Sequence, residues 1–161
     1  MKHKFLLFIS SALLLSALPA FAQMVSMDIV TTSAVVKTPA VKPGSSGVLV
    51  VNVKIAPGYH INVEKPADES LIPTTFSADA VTGVRFAPAH FLAAKSIRVS
   101  YSKTPMLVYE NTTTIVVPFQ VSKSAHPGKV DLKGEVNYQG CNAVSCLPPN
   151  SAPVHAWVTI K

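Results

Sequence analysis

Cys141 and Cys146 are the only cysteines in a chain of 161 residues. They lie in Tyr138-Gln139-Gly140-Cys141-Asn142-Ala143-Val144-Ser145-Cys146-Leu147-Pro148-Pro149, with four residues between them. Two thiols at that spacing have three uses: a structural disulfide, an exchangeable disulfide, or half of a metal site. Alternating segments enter and leave this stretch, so the pair closes a hairpin-like turn whose geometry allows a disulfide. Composition alone favours a staple. The magnitude argues otherwise, because closing a loop of about six residues is worth roughly 2 kcal/mol, against ~4.7 kcal/mol for a 100-residue loop. A bridge between residues already held close can open and re-form without unfolding the domain. Residues 142–145 carry no positive charge and no helix N-terminus follows, so the local sequence offers nothing to lower a thiol pKa. The pair therefore reads as a passive carrier, dependent on a partner's activated thiolate or on a group that folding brings near.

Metal is a weaker use. Four-residue spacing fits the upper end of zinc loops, but a structural site needs two more ligands. His60, His90, His126 and His155 are isolated, with no paired histidine three to five residues away, and no methionine follows Met106 to serve as a blue-copper axial ligand. Neither a metal nor a dissociable cofactor is expected. No Ser-His-Asp pattern, Gly-rich phosphate loop or catalytic carboxylate pair is present. Asp68-Glu69 reads as a solvated doublet, and Asn111-Thr112-Thr113 fits a glycosylation acceptor that arises often by chance.

The elements that must position the cysteines show a period of two. Leu49, Val51, Val53 and Ile55 share a face, as do Ile115, Val117, Phe119 and Val121. Val130, Leu132, Val136 and Tyr138 alternate with Asp131, Lys133, Glu135 and Asn137, and Val154, Ala156, Val158 and Ile160 alternate with His155, Trp157, Thr159 and Lys161. Four half-buried strands are predicted over 48–55, 114–121, 130–138 and 154–160, with weaker ones near 24–30, 75–80, 84–86, 96–100 and 106–109. Turn chemistry punctuates them at Pro43-Gly44, Pro57-Gly58, Pro127-Gly128 and Pro148-Pro149. Pro118 marks an edge or a bulge, and only 89–95 offers a helical turn or two. Thirteen prolines weigh against a helical bundle, and an apolar content of 48% weighs against disorder. The reading is a single-domain, all-β, Ig-like antiparallel sandwich.

The N-terminus reads as an export signal over residues 1–22. Lys2 and Lys4 precede an apolar run at 5–14, and Ala20-Phe21-Ala22 is a cleavage site ahead of Gln23. The mature domain is then 23–161, in a compartment that permits disulfides. No cysteine at the cleavage point could accept a lipid, and no later apolar run is long enough to span a membrane. The charge balance, 14 Lys and Arg against 8 Asp and Glu, is basic, but the cations are scattered singly, which excludes a nucleic-acid interface.

The Tyr-Gln-Gly-Cys…Cys-Leu-Pro-Pro element, with Val108-Tyr109-Glu110, Leu71-Ile72-Pro73-Thr74 and Gly58-Tyr59-His60-Ile61-Asn62 in order before it, resembles the N-terminal periplasmic domain of the thiol:disulfide interchange protein DsbD. The resemblance runs from about Val48 to Ile160. It implies an Ig-like fold with a redox pair, Cys141 and Cys146, on a hairpin at one end. It also implies a periplasmic location, a thioredoxin-like electron donor, and clients among disulfide isomerases and cytochrome c maturation thioredoxins. Cys146, matching the second cysteine, would form the mixed disulfide; Tyr138, Gln139, Tyr59 and His60 match positions around the pair. Family members shield the pair with a loop bearing an aromatic residue. Here that loop is 100–106, with Tyr101 or Met106 as the shield. The segment between the cysteines is one residue shorter than in the best-known members. The transmembrane conduit and C-terminal thioredoxin-like domain lie outside this chain, so electrons are expected from a separate protein. The alternatives are an exported Ig-like binding or assembly module with a merely structural bridge, or a metal carrier.

Overall fold

The computed structural model describes residues 28–161. The proposed leader and most of the strand expected near 24–30 lie outside these residues. Twelve strands follow one another: β1 (Val30–Val36), β2 (Ala40–Val41), β3 (Ser46–Ile55), β4 (His60–Asn62), β5 (Thr75–Ala78), β6 (Val84–Phe86), β7 (His90–Phe91), β8 (Lys95–Ile97), β9 (Met106–Glu110), β10 (Thr112–Val121), β11 (Gly128–Cys141) and β12 (Cys146–Ile160). They form two sheets, one ordered β1-β3-β10-β6 with β7 also on β10, the other β2-β12-β11-β4-β9-β8 with β5 also on β11. All pairings are antiparallel except β2 with β12. The described residues form an Ig-like all-β sandwich.

The alternation seen in the sequence builds the core between the sheets. Leu49, Val51, Val53 and Ile55 of β3 and Ile115, Val117, Phe119 and Val121 of β10 are buried, facing Leu132, Val136 and Tyr138 of β11 and Val154, Val158 and Ile160 of β12. Each side chain of this size contributes about 1.5–3 kcal/mol when fully buried. Pro118 sits within β10 opposite Val48 of β3, and its carbonyl accepts a bond from Ala87 N just beyond β6. Its missing N–H thus faces the gap between β6 and β7, where β10 changes partner.

The expected helical turn at 89–95 is absent. His90 and Phe91 pair with Val116 and Ile115, and Phe91 stacks on Tyr109 with ring centroids 6.0 Å apart. Ala93 then takes a left-handed conformation, φ 65°, before β8 joins the other sheet. Cross-strand pairing and ring packing outweigh the helix preference of three alanines. Asn111, φ 58°, makes a similar crossing between β9 and β10, and its carbonyl accepts a bond from Ile55 N. Both crossings carry the chain from one sheet to the other.

Candidate functional site

β11 and β12 are the longest strands, and their shared turn carries the cysteines. From Gly128 opposite Ile160 to Gln139 opposite Pro149 the register is constant; it then shifts by one residue so that Cys141 stands opposite Cys146. A bulge of this kind re-aims side chains at a strand end, and here it aligns the two sulfurs. They form a disulfide with a Cα–Cα distance of 3.9 Å. Gly140 permits the bulge to pass beneath Ile29, since a Cβ at 140 would lie 2.2 Å from Ile29 Cδ1. Gln139 spans the irregularity, its Nε2 donating to Leu147 O at 3.1 Å.

The turn between the cysteines holds itself. Asn142 Oδ1 accepts from Val144 N and Ser145 N, both at 2.9 Å, and Asn142 N donates to Ser145 O at 2.9 Å. Burial divides the two cysteines sharply: Cys141 has 0% exposure, whereas Cys146 is exposed.

Cys141 is buried away from the main core. Ile61 opposes Gly140 and faces inward, so Cys141 and its cross-strand partner His60 point to the outer face of the sheet. On β9, Glu110 opposes His60 and Val108 opposes Asn62. Two loops cover this face. Asn62 Nδ2 donates to Ile72 O at 2.9 Å and Thr74 Oγ1 to Asn62 O at 2.6 Å, fixing the loop after β4. The loop after β8 is fixed on the hairpin itself: Ser100 Oγ and Ser100 N donate to Ala143 O at 2.8 and 3.3 Å. Next to it, Tyr101 Oη and His60 Nε2 share a hydrogen bond of 2.9 Å.

The electrostatics follow from this cover. Burial holds the His60 pKa below its ordinary value, partly opposed by the nearby Glu110 carboxylate. Burial pushes the Tyr101 phenol up. It does the same for Tyr109, aided by the bond its hydroxyl donates to Glu64 Oε2 at 2.5 Å.

Among the residues singled out in sequence, the structure thus gathers Cys141, Cys146, Gln139, His60 and Tyr101 at one end of the sandwich. Tyr138 belongs to the main core, and burial raises its phenol pKa, with Asp28 adding to the effect. Tyr59 packs against that core. Met106 opens β9 opposite Ile97 and lines a groove with Tyr101, Lys65 and Leu71. Sequence reading did not find Ser100, Asn142 or Glu110. Asn142 had a signal, as an Asx residue opening a turn; the other two depend on contacts far along the chain. Among the described residues no cluster of three His, Cys, Asp or Glu side chains could hold a metal ion.

A sequence model described as "Thiol:disulfide interchange protein DsbD, N-terminal" matches residues 26–155. The chain belongs to the DsbD N-terminal domain family. The family is described by thiol:disulfide interchange, for which the Cys141–Cys146 bridge supplies a cysteine pair, and interaction with thioredoxin-like proteins is what the family implies in general. No curated protein sequence matches this DsbD N-terminal-type chain. Among solved structures, the N-terminal periplasmic domain of ScsB from Proteus mirabilis is 14% identical, with a TM-score of 0.44, over 71% of this chain and 42% of that one. The DsbD N-terminal domain of Neisseria meningitidis in its reduced form is 17% identical, with a TM-score of 0.45, over 74% of this chain and 83% of that one. A type I cohesin from Pseudobacteroides cellulosolvens gives 13% identity and a TM-score of 0.46, over 81% of this chain and 92% of that one. This chain therefore spans less than half of the ScsB chain it matches. No helix among the described residues is long and apolar enough to cross a membrane.

Proposed function

We propose that this protein is a periplasmic thiol–disulfide carrier. It takes two electrons from a reduced thioredoxin-like donor into the Cys141–Cys146 disulfide and passes them to oxidised thioredoxin-like clients of the disulfide-isomerase and cytochrome c maturation kinds. The leader-like sequence at 1–22 supports export, and the family supports the exchange chemistry. The observation that carries the reading is the asymmetry of the bridge: an exposed Cys146 bonded to a fully buried Cys141, at a hairpin tip whose turn is held by Asn142.

The steps balance without a dissociable cofactor. A donor thiolate attacks Cys146 Sγ, the only sulfur it can reach, and Cys141 leaves with the electron pair and gains a proton. The donor's second thiolate attacks its own sulfur in the mixed disulfide and releases Cys146, so the domain is a dithiol and the donor a disulfide. In delivery, Cys146 attacks the client disulfide; Cys141 then attacks Cys146 Sγ, restoring the bridge and freeing the reduced client.

Equilibration in thiol buffers tests this. The reading expects a potential between about −200 and −270 mV with the fold unchanged on reduction, and a Cys146→Ser variant that folds but reduces no client. A potential well below about −300 mV, or unfolding on reduction, makes the bridge a staple.

A further inference from the structure

The carrier reading gives Cys141 a task that its surroundings oppose. To close the bridge during delivery it must attack as a thiolate, yet a thiol buried away from water resists ionisation. Residues 142–145 bring no charge to it. Folding brings His60, placed directly opposite Cys141 across β4 and β11 and 3% exposed. Side chains so paired share one face, with Cβ atoms about 4.5–5.5 Å apart. In the tautomer whose Nε2–H donates to Tyr101 Oη at 2.9 Å, Nδ1 keeps its lone pair and is the nitrogen able to accept the sulfur's proton. From β9, Glu110 stands opposite His60. Cys141, Tyr101 and Glu110 are thus the titratable groups set against the imidazole from the strands and loop around it.

We propose that His60 is the proton acceptor for the Cys141 thiol, an inference that rests on the carrier reading. With a client held at Cys146 as a mixed disulfide, His60 Nδ1 takes the Cys141 S–H proton. The Cys141 thiolate attacks Cys146 Sγ; the Cys141–Cys146 bond forms and the Cys146–client bond breaks. The client sulfur departs with the electron pair and takes a proton from water, so the client is reduced and the domain is oxidised. Glu110 faces the imidazolium so formed, which later gives its proton to water. Burial suits the task, because it keeps the ring unprotonated, and therefore able to accept, at neutral pH.

The reduced domain with Ellman's reagent separates the steps. Attack by Cys146 releases the first thionitrobenzoate, and closure by Cys141 releases the second. His60→Gln should leave the first phase unchanged, slow the second about tenfold or more at pH 7, and raise the pH midpoint of the second. A second phase with unaltered rate and midpoint overturns the proposal. Should His60→Gln fail to fold, Cys146→Ser with His60 intact decides. Methylthiolation of Cys141 should then move the His60 imidazole titration seen by NMR, and an unmoved titration again overturns the proposal. Failure of the carrier reading would appear elsewhere, as a potential too low for exchange, because the closure phase is measured from chemically reduced protein.

Discussion

His60 and Cys141 oppose each other across β4 and β11 on the outer face of the sheet, and both are buried there, with Tyr101 of the loop after β8 bonded to His60. The pairing joins residues far apart in sequence, and the register shift after Gln139 sets Cys146 against Cys141 from the other neighbouring strand. Without that shift the cysteines would not stand opposite each other. The site therefore combines a strand irregularity, a turn held by its own side chain and a covered imidazole.

Burial sets which sulfur reacts first. In the reduced domain Cys146 should be alkylated by iodoacetamide at least about tenfold faster than Cys141 at pH 7, because only Cys146 meets solvent. Mass mapping of quenched time points reads the ratio. Equal rates would remove Cys146 as the site of attack.

The bridge adds little to the fold. Urea unfolding of oxidised and reduced protein should differ by about 2 kcal/mol, with far-UV spectra that superimpose before the transition. Asn142→Ala should cost about 1 kcal/mol in the reduced protein, where the bonds from Val144 N and Ser145 N are what hold the turn. A reduced domain that is already unfolded in buffer would contradict both expectations.

The periodic strands were legible in sequence because apolar alternation both defines and buries them. Val84–Phe86 matches its expected bounds, and Met106–Glu110 differs by one residue. Other short pieces were not legible. His60–Asn62 and His90–Phe91 are too brief to show a period, and they exist because β9, β10 and β11 offer them backbone partners. At the site, residue types marked Cys141, Cys146, His60 and Tyr101 separately. The meeting of His60 and Tyr101 at 2.9 Å, and the anchoring of Ser100 on Ala143, depend on a loop folded back across 41 to 43 positions, which no local pattern encodes.

The Ser100 anchor ties the loop after β8 to the turn between the cysteines. Ser100→Ala removes the hydroxyl bond to Ala143 O, worth about 1 kcal/mol, so the loop should open about fivefold more often. In a Cys146→Ser background, alkylation of Cys141 through that opening should accelerate by the same factor, with the global unfolding midpoint nearly unmoved. An unchanged rate would mean that the loop does not gate Cys141.

His60 also makes stability depend on pH, with a definite sign. Its folded pKa is lowered by burial, so between the ordinary value of 6.5 and the lower folded value the unfolded chain binds a proton that the folded domain does not. Protonation therefore favours unfolding. Stability should be level above about pH 7 and should fall as the pH drops through about 6.5, well before carboxylates begin to titrate. His60→Gln should flatten the curve just below about pH 6.5 while leaving the carboxylate-driven acid limb in place. Denaturant midpoints taken at half-unit steps in pH measure this directly. If the variant keeps the wild-type slope, the loss of stability comes from another group and His60 is not held neutral beneath the loop.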